Sequence, residues 1–144
     1  MREESYTVPK ASSIPGSVED WLNRAKSDLA LAQIELPEGA SYVGLCYHAQ
    51  QAAEKAIKAI SIHQGWNFQD VHNIAVLIRD LEMNGIPVPA EVKSSARLTE
   101  CAHQTRYPGT SEPVTREEHE QALDRGRSDL RWAETVIAKP KPRS

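Results

Sequence analysis

SYVGLCYHAQQAAEKAIKAISIHQG, residues 41–65, is the longest uninterrupted helical pattern in the chain. Wound at about 100° per residue, its apolar side chains fall on one face. Many of them are alanines, which allow a second helix to approach closely. Ser41 can cap the start of this helix and Gly65 its end. The stretch therefore predicts the buried central helix of a helical bundle. Its apolar face consists of Tyr42, Leu45, Ala49, Ala52, Ala53, Ala56 and Ile60.

A polar stripe runs beside this apolar face. It consists of Gly44, His48, Gln51 and Lys55. Two hydrogen-bond donors and an imidazole on one helix face can bind a phosphate or a base. The alternative is a solvated face whose long side chains lie along the bundle. The periodicity alone favours the solvated face.

Four further helices are predicted around the central one. Ser17 caps the first of them, Asp70 is the expected cap of the third helix of the chain, and Thr115 and Glu118 form a capping box. No segment alternates with period two, so no sheet is expected. The prediction is an all-α, up-and-down bundle of four long helices plus one shorter helix. The four predicted spans are 17–35, 70–84, 90–105 and 115–138.

Length and composition indicate one globular domain. The 144 residues are 40% apolar, which is enough for a core. We expect a flexible lead over residues 1–16, a single helical domain over 17–138 and a flexible tail over 139–144. The net charge of −3 argues against coating of nucleic acid by bulk charge. Cys46 and Cys101 are expected to be buried free thiols.

The composition also bears on compartment, cofactors and metals. No run approaches the roughly 18 apolar residues of a membrane span, and no signal core is present. The expectation is a soluble, cytoplasmic protein that does not insert into a membrane. No Cys/His cluster has metal-ligand spacing and no phosphate-binding loop is visible, so neither a metal nor a cofactor is expected.

Two further places can carry a site. Arg106-Tyr107-Pro108-Gly109 breaks the predicted fourth helix, and an arginine beside an aromatic side chain is a candidate anion or partner site. The alternative is a helix terminator whose arginine pairs with a carboxylate. His72 is either a cleft residue or a partly buried histidine near a helix start, where the helix dipole disfavours its charged form.

YHAQQAAEKAIKA, residues 47–59, resembles the signature helix of the HEPN domain family. Other elements follow in the order typical of that family. Trp21, Ala25 and Asp28-Leu29 resemble its first helix, His72 its histidine at the start of the third, and Arg106-Tyr107-Pro108 its RYP element before the last. The resemblance covers about residues 17–138. It implies a bundle of four main helices that usually forms a homodimer.

The resemblance also implies a function connected with nucleotides or RNA. Some HEPN proteins are metal-independent ribonucleases of toxin–antitoxin and defence systems, whereas others are small modules that bind a minimal nucleotidyltransferase. We favour the second kind: a module with His48, Gln51, Lys55, His72, Arg106 and Tyr107 on its nucleotide- or partner-binding surface. In this interpretation Lys55 and Arg106 meet phosphate, and Tyr107 stacks on a base.

Two alternatives stay open at the level of sequence. The first is a toxin ribonuclease that uses an arginine and a histidine as its catalytic pair. Only Arg97 is followed at suitable spacing by a histidine, His103, and in a straight helix the two side chains would point about 120° apart. The pair also precedes the RYP element, whereas the family's nuclease motif lies near the start of the last main helix. The second alternative is a purely structural helical subunit.

Overall fold

The computed structural model describes residues 14–68, 72–98 and 114–139. These residues form helices and contain no strand, so the predicted all-α class is confirmed. A short 3-10 turn over Ser94–Ala96 follows the fourth helix. The α-helices with both ends within the described residues are α1 (Val18–Ala32), α2 (Tyr42–His63), α3 (Ile74–Met83), α4 (Ala90–Lys93) and α5 (Arg116–Ala138).

The first and last helices begin at the caps that the sequence predicts. The Ser17 hydroxyl accepts a hydrogen bond from the Asp20 N–H at 3.1 Å. At α5 the Thr115 hydroxyl accepts from the Glu118 N–H at 3.1 Å, and the Glu118 carboxylate accepts from the Thr115 N–H at 2.9 Å. Acidic residues also lie in the first turn of both helices, where the helix dipole favours them.

The start of α3 differs from the prediction. The helix begins at Ile74, and its N-cap is Asn73, whose side-chain oxygen accepts from the Ala75 N–H at 2.9 Å. Asp70, the predicted cap, lies outside the described residues. Asn and Asp are equally good N-caps, so the residue types alone could not choose between two candidates three positions apart.

The fourth helix contains an interruption that the sequence did not predict. Its α-helical geometry ends at Lys93, a 3-10 turn spans Ser94–Ala96, and α-helix resumes at residues 97–98, within the predicted helix over 90–105. The hydroxyl of Ser94 donates to the Glu91 carbonyl at 2.7 Å, and that of Ser95 donates to the Val92 carbonyl at 2.6 Å. Serine side chains that bond preceding carbonyls compete with the helical ladder. The part of this prediction beyond residue 98 lies outside the described residues.

Helix α2 is the centre of the bundle, as its sequence predicts. It packs mainly against α1 and α5 through an apolar face rich in fully buried alanines. At Gly126 of α5 the two helices approach so closely that a Cβ atom would lie 3.2 Å from the carbonyl oxygen of Ala49. This close approach explains a glycine in the middle of a helix, where it otherwise costs about 1 kcal/mol.

The remaining helices complete the core. α3 and the segment of α4 with its 3-10 turn cover the bundle with buried side chains such as Leu81 and Val92. Cys46 is buried, as predicted, whereas Cys101 lies outside the described residues. None of the helices that the structure describes has the length and apolar character needed to cross a membrane.

Candidate functional site

The polar side of α2 is largely buried and internally bonded. Gln50, Gln51, Glu54 and Lys58 are all buried, although they lie on the side of the helix opposite much of the apolar core. Burial of such groups is costly unless hydrogen bonds and charge pairs compensate them. Of the predicted polar stripe only Gln51 is buried, so its other members remain at least partly solvated. The polar side chains of α2 form two compensated clusters.

The first cluster, called here the Asp28 cluster, consists of Asp28, His48 and Lys55. The Lys55 ammonium donates to one carboxylate oxygen of Asp28 at 2.6 Å, and His48 Nδ1 lies 3.0 Å from the other oxygen. The carboxylate is almost fully covered, whereas the histidine and the lysine are partly exposed. One buried carboxylate from α1 thus holds two donor side chains of α2 at the protein surface.

Helical geometry explains why these three residues meet. His48 and Lys55 are seven residues apart, which is close to two turns, so both lie on the same stripe of α2. Asp28 lies on the face of α1 that packs against this stripe. Because each donor bonds a different oxygen of the same carboxylate, the imidazole and the ammonium are held within a few ångströms of each other.

The second cluster, called here the Glu54 cluster, is centred on a carboxylate that is only 1% exposed. One oxygen of Glu54 accepts from the Lys58 ammonium at 2.9 Å and lies 2.8 Å from His72 Nδ1. The other oxygen accepts from the side-chain amides of Gln50 at 3.1 Å and Gln51 at 3.4 Å. Four side chains therefore satisfy one buried carboxylate.

Two aromatic rings cover the lysine of this cluster. The Lys58 ammonium lies 5.7 Å from the ring centroid of Trp21 and 5.2 Å from that of Phe68. The two rings meet edge to face, with centroids 5.6 Å apart. Cation–π attraction stabilises a desolvated ammonium, so the rings compensate part of the cost of burying Lys58.

His72 connects the Glu54 cluster to the surface. It lies just before α3, and its side chain is 71% exposed although Nδ1 contacts a buried carboxylate. Its backbone carbonyl also lies 3.4 Å from the Gln50 side-chain amide, which donates to it. An exposed histidine is thus held at both its ring and its backbone by side chains of α2.

The structure separates the predicted site residues into two groups. His48 and Lys55 meet at Asp28, whereas Gln51 and His72 meet at Glu54. Arg97 is exposed after the 3-10 turn, and its predicted partner His103 lies outside the described residues, as do Arg106 and Tyr107. The pairing of Arg97 with His103 stays a prediction.

Sequence reasoning missed the residues that organise both clusters. Asp28 was part of the family resemblance but not of the predicted site, and Glu54 and Lys58 were not singled out. A signal was present, because Glu54 and Lys58 stand at i and i+4 within an otherwise apolar helix. Such a pair forms a salt bridge on one helix face.

The partly exposed donors of the Asp28 cluster are of the type that can bond an anion. His48 and Lys55 present N–H donors at a surface, and the carboxylate beneath them fixes their positions. In the part of the chain that the structure describes, no three His, Cys, Asp or Glu side chains are arranged to hold a metal ion. The arrangement therefore supports binding of a phosphate or similar anion through protein donors.

A third buried carboxyl lies apart from both clusters, in α5. Asp129 is fully buried, and neither of its oxygens accepts a hydrogen bond from the residues that the structure describes. Burial raises the pKa of Asp129 to about 8, and Glu91 adds to the rise, whereas Ser95 and Arg125 oppose it. Near neutral pH this side chain is therefore mostly the neutral acid.

Comparison with known proteins identifies the family. The HEPN domain model matches residues 18–136, which is most of the chain. The chain belongs to the HEPN domain family. The matched HEPN region includes the Asp28 and Glu54 clusters and all five helices except the last residues of α5. Among curated proteins, none matches this HEPN chain.

Solved structures agree with the family assignment. The protein TT1696 from Thermus thermophilus is 34% identical, with a TM-score of 0.72, and the match covers 83% of this chain and 97% of that one. ST0689, an archaeal HEPN homologue, is 28% identical with a TM-score of 0.64, covering 84% and 98%. The HEPN domain protein tm0613 from Thermotoga maritima shares the fold, at 23% identity and a TM-score of 0.57, covering 85% and 95%.

Proposed function

We propose that this HEPN protein is a binding module that recognises a nucleotide or RNA through phosphate and acts with a minimal nucleotidyltransferase. The observation that carries the proposal is the Asp28 cluster. It holds a lysine and a histidine side by side on the outer stripe of the central helix. Membership of the HEPN family supports the same class of ligand.

Preorganisation is the physical argument for a binding role. A free surface lysine loses about 2 kcal/mol of rotamer entropy when it is fixed on a ligand. Lys55 is already fixed by Asp28, so less of this cost remains for binding. Its ammonium has three N–H donors, of which Asp28 engages one at 2.6 Å, and the others can reach a phosphate oxygen.

His48 extends this surface. With Nδ1 donating to the Asp28 carboxylate, the second ring nitrogen is an acceptor in the neutral imidazole and a donor in the charged one. A phosphate bound to Lys55 lies within reach of this ring, because both side chains converge on the same carboxylate. The ring can therefore add a second contact to a phosphate that Lys55 holds.

The other proposed site residues have different roles. His72 adds an exposed imidazole at the far side of α2, held by Glu54. Gln51 is buried and bonds Glu54, so in this proposal it positions that carboxylate. Arg106 and Tyr107 remain proposed contacts to phosphate and base on the basis of the family resemblance. A homodimer and a toxin–antitoxin or defence role belong to the proposal on the same basis.

Incubation with RNA separates this proposal from a nuclease. The full chain is mixed with an end-labelled, structured RNA in EDTA, beside an Arg97→Ala/His103→Ala double variant. The binding module is expected to leave the RNA intact in both reactions. Cleavage by the wild type that disappears in the double variant would refute the proposal in favour of a metal-independent ribonuclease.

Co-purification tests the proposed partner. A tagged copy of the chain is expressed in its native host, and proteins that elute with it are identified by mass spectrometry. A minimal nucleotidyltransferase is the expected companion, retained by the wild type and by Lys26→Ala. If no nucleotidyltransferase is enriched over an untagged control, the partner part of the proposal fails, and a ligand-binding role alone remains to be measured.

A further inference from the structure

The α5 carboxyl described above occupies an unusual place in the fold. Asp129 is 0% exposed, and no hydrogen bond reaches either carboxyl oxygen from the residues that the structure describes. Buried carboxyl groups are normally bonded or paired, so an exception of this kind requires an explanation. Both buried carboxylates of the polar clusters, in contrast, have at least two partners each.

A short segment covers this carboxyl. The segment consists of α4 and the 3-10 turn, residues 90–96, and is called here the cover. The cover contributes Ser95, which is also fully buried, but its single hydroxyl proton is already donated to the Val92 carbonyl at 2.6 Å. Ser95 lowers the pKa of Asp129, but burial outweighs this effect, so under the closed cover the carboxyl keeps its proton near neutral pH.

The packing between the cover and α5 is incomplete. A partly open cavity of about 230 Å³ separates them, and it is lined from the cover by Glu91 and Val92 and from α5 by Ser128, Arg131 and Trp132. A partly open cavity of this size admits water, so part of the boundary between the cover and α5 is already solvated. Val92 is the fully buried apolar side chain of the cover, and separation from α5 must expose it.

Charges around the carboxyl favour separation once it ionises. Glu91 of the cover faces Asp129 with the same sign, whereas Arg125 of α5 itself has the opposite sign. The 3-10 turn supplies the uncharged Ser95, and near Gly126, three residues earlier in α5, the neighbouring atoms of α2 belong to the Ala49 backbone. Ionisation therefore adds repulsion across the boundary between the cover and α5, and attraction only within α5.

We propose that residues 90–96 form a proton-gated cover, which separates from α5 when Asp129 loses its proton. Opening gives the carboxylate access to water and widens the cavity beside Trp132. It also displaces the backbone just before Arg97, which follows the cover directly. The opening of the cover is independent of the proposed anion site, because neither polar cluster includes a residue of the cover or of α5.

The difference in the Asp129 pKa between the closed and open states determines how the opening constant depends on pH. In the closed state the pKa of Asp129 is raised to about 8, and in the open state it returns towards the ordinary 3.8. Between these two values the closed state holds a proton that the open state has released. The opening constant should therefore rise about tenfold per pH unit in this window and level off above it.

Hydrogen exchange of the backbone amides in residues 90–96 tests the proposal on the full chain. Exchange rates are measured from about pH 5 to pH 9 and divided by the intrinsic rate at each pH, which leaves the opening constant. In the wild type the opening constant should rise about tenfold per pH unit. Low concentrations of denaturant should not change it, because the opening is local. Asp129→Asn should show no such rise, and Asp124→Asn, an exposed acid of the same helix, should behave as the wild type.

A second variant keeps the test informative if Asp129→Asn does not fold. Glu91→Gln removes the like charge, so the opening constant should level off at a lower pH than in the wild type. Wild-type exchange in the cover that shows no pH dependence beyond the intrinsic rate would overturn the proposal. The proposal would also be overturned if the amides of α2 exchanged with the same pH dependence and the same free energy of opening as those of the cover, since the opening would then be global unfolding.

Discussion

Replacement of Glu54 by glutamine removes the carboxylate that the structure places against a buried lysine. Glu54 and Lys58 are 1% and 3% exposed, and the ion pair between them is 2.9 Å long. In Glu54→Gln the ammonium stays buried without this counter-charge. The new amide would also point N–H donors at the donors of Lys58 or of the two neighbouring glutamines, because these partners of the carboxylate are all donors.

The expected loss follows from these contacts. Removal of one partner from a buried ion pair costs about 3–5 kcal/mol. The rings of Trp21 and Phe68 lie over Lys58 in the wild type and in the variant, so their attraction does not change the difference. We therefore expect Glu54→Gln to lower the free energy of unfolding by about 3–5 kcal/mol. For a domain whose total stability is about 5–15 kcal/mol, such a loss is large.

Urea denaturation followed by circular dichroism measures this loss. Glu82→Gln is the matched control, because Glu82 pairs with Lys93 at 2.7 Å but both side chains are well exposed. The control should lose less than about 1 kcal/mol. Glu54→Gln combined with Lys58→Met should recover most of the loss, since no charge then remains buried at this position. A loss below about 1 kcal/mol in Glu54→Gln alone would refute the reasoning.

Two further predictions concern α2 and α5. Gly44→Ala should raise the melting temperature, because the added Cβ meets no atom within 4 Å and alanine favours a helix by about 1 kcal/mol over glycine. Gly126→Ala should lower the melting temperature, because its Cβ would lie 3.2 Å from the Ala49 carbonyl oxygen. Equal shifts of the two variants in thermal unfolding would contradict this prediction. The native state of the wild type binds a proton at Asp129 that the unfolded state releases between pH 3.8 and about 8, so its free energy of unfolding should fall with rising pH by about 1.4 kcal/mol per unit through this group. Asp129→Asn should remove that slope in urea titrations at several pH values, and an unchanged slope would show that the carboxyl is not buried as the acid.

The fold was predictable where local signals and burial agree. The alanine-rich face of α2, the Ser17 cap and the Thr115 capping box all follow directly from residue spacing. The 3-10 turn inside the predicted fourth helix did not, because it depends on whether a serine hydroxyl bonds the carbonyl three residues earlier. That choice depends on the packing of the cover against α5, which spacing does not contain.

The candidate site was predictable only in part, for a related reason. Periodicity placed His48 and Lys55 on one stripe, and the family resemblance promoted that stripe to a binding surface. The periodicity and the resemblance did not predict that Asp28 of another helix would hold both side chains, since the register between α1 and α2 follows from three-dimensional packing. The burial of Glu54 is a similar case, because it depends on Trp21 and Phe68 covering its lysine.

The burial of Asp129 could not be predicted from the sequence. Its sequence context, Arg-Ser-Asp-Leu-Arg over residues 127–131, is that of an ordinary solvated helix face. Only the three-dimensional position of the cover buries it. Charged residues are rarely buried without partners, so sequence reasoning places such an aspartate at the surface by default.

Titration of the protein with ATP by calorimetry most directly tests the central claim, that the Asp28 cluster is a preorganised phosphate site. Lys55→Ala is compared with Lys26→Ala, an exposed lysine of α1 that pairs with Glu134 at 3.3 Å. The wild type and Lys26→Ala should bind saturably with equal affinity, and Lys55→Ala should bind at least about tenfold more weakly, as loss of a hydrogen bond to a charged group requires. Equal affinities for the two variants, or no saturable binding by the wild type, would contradict the claim.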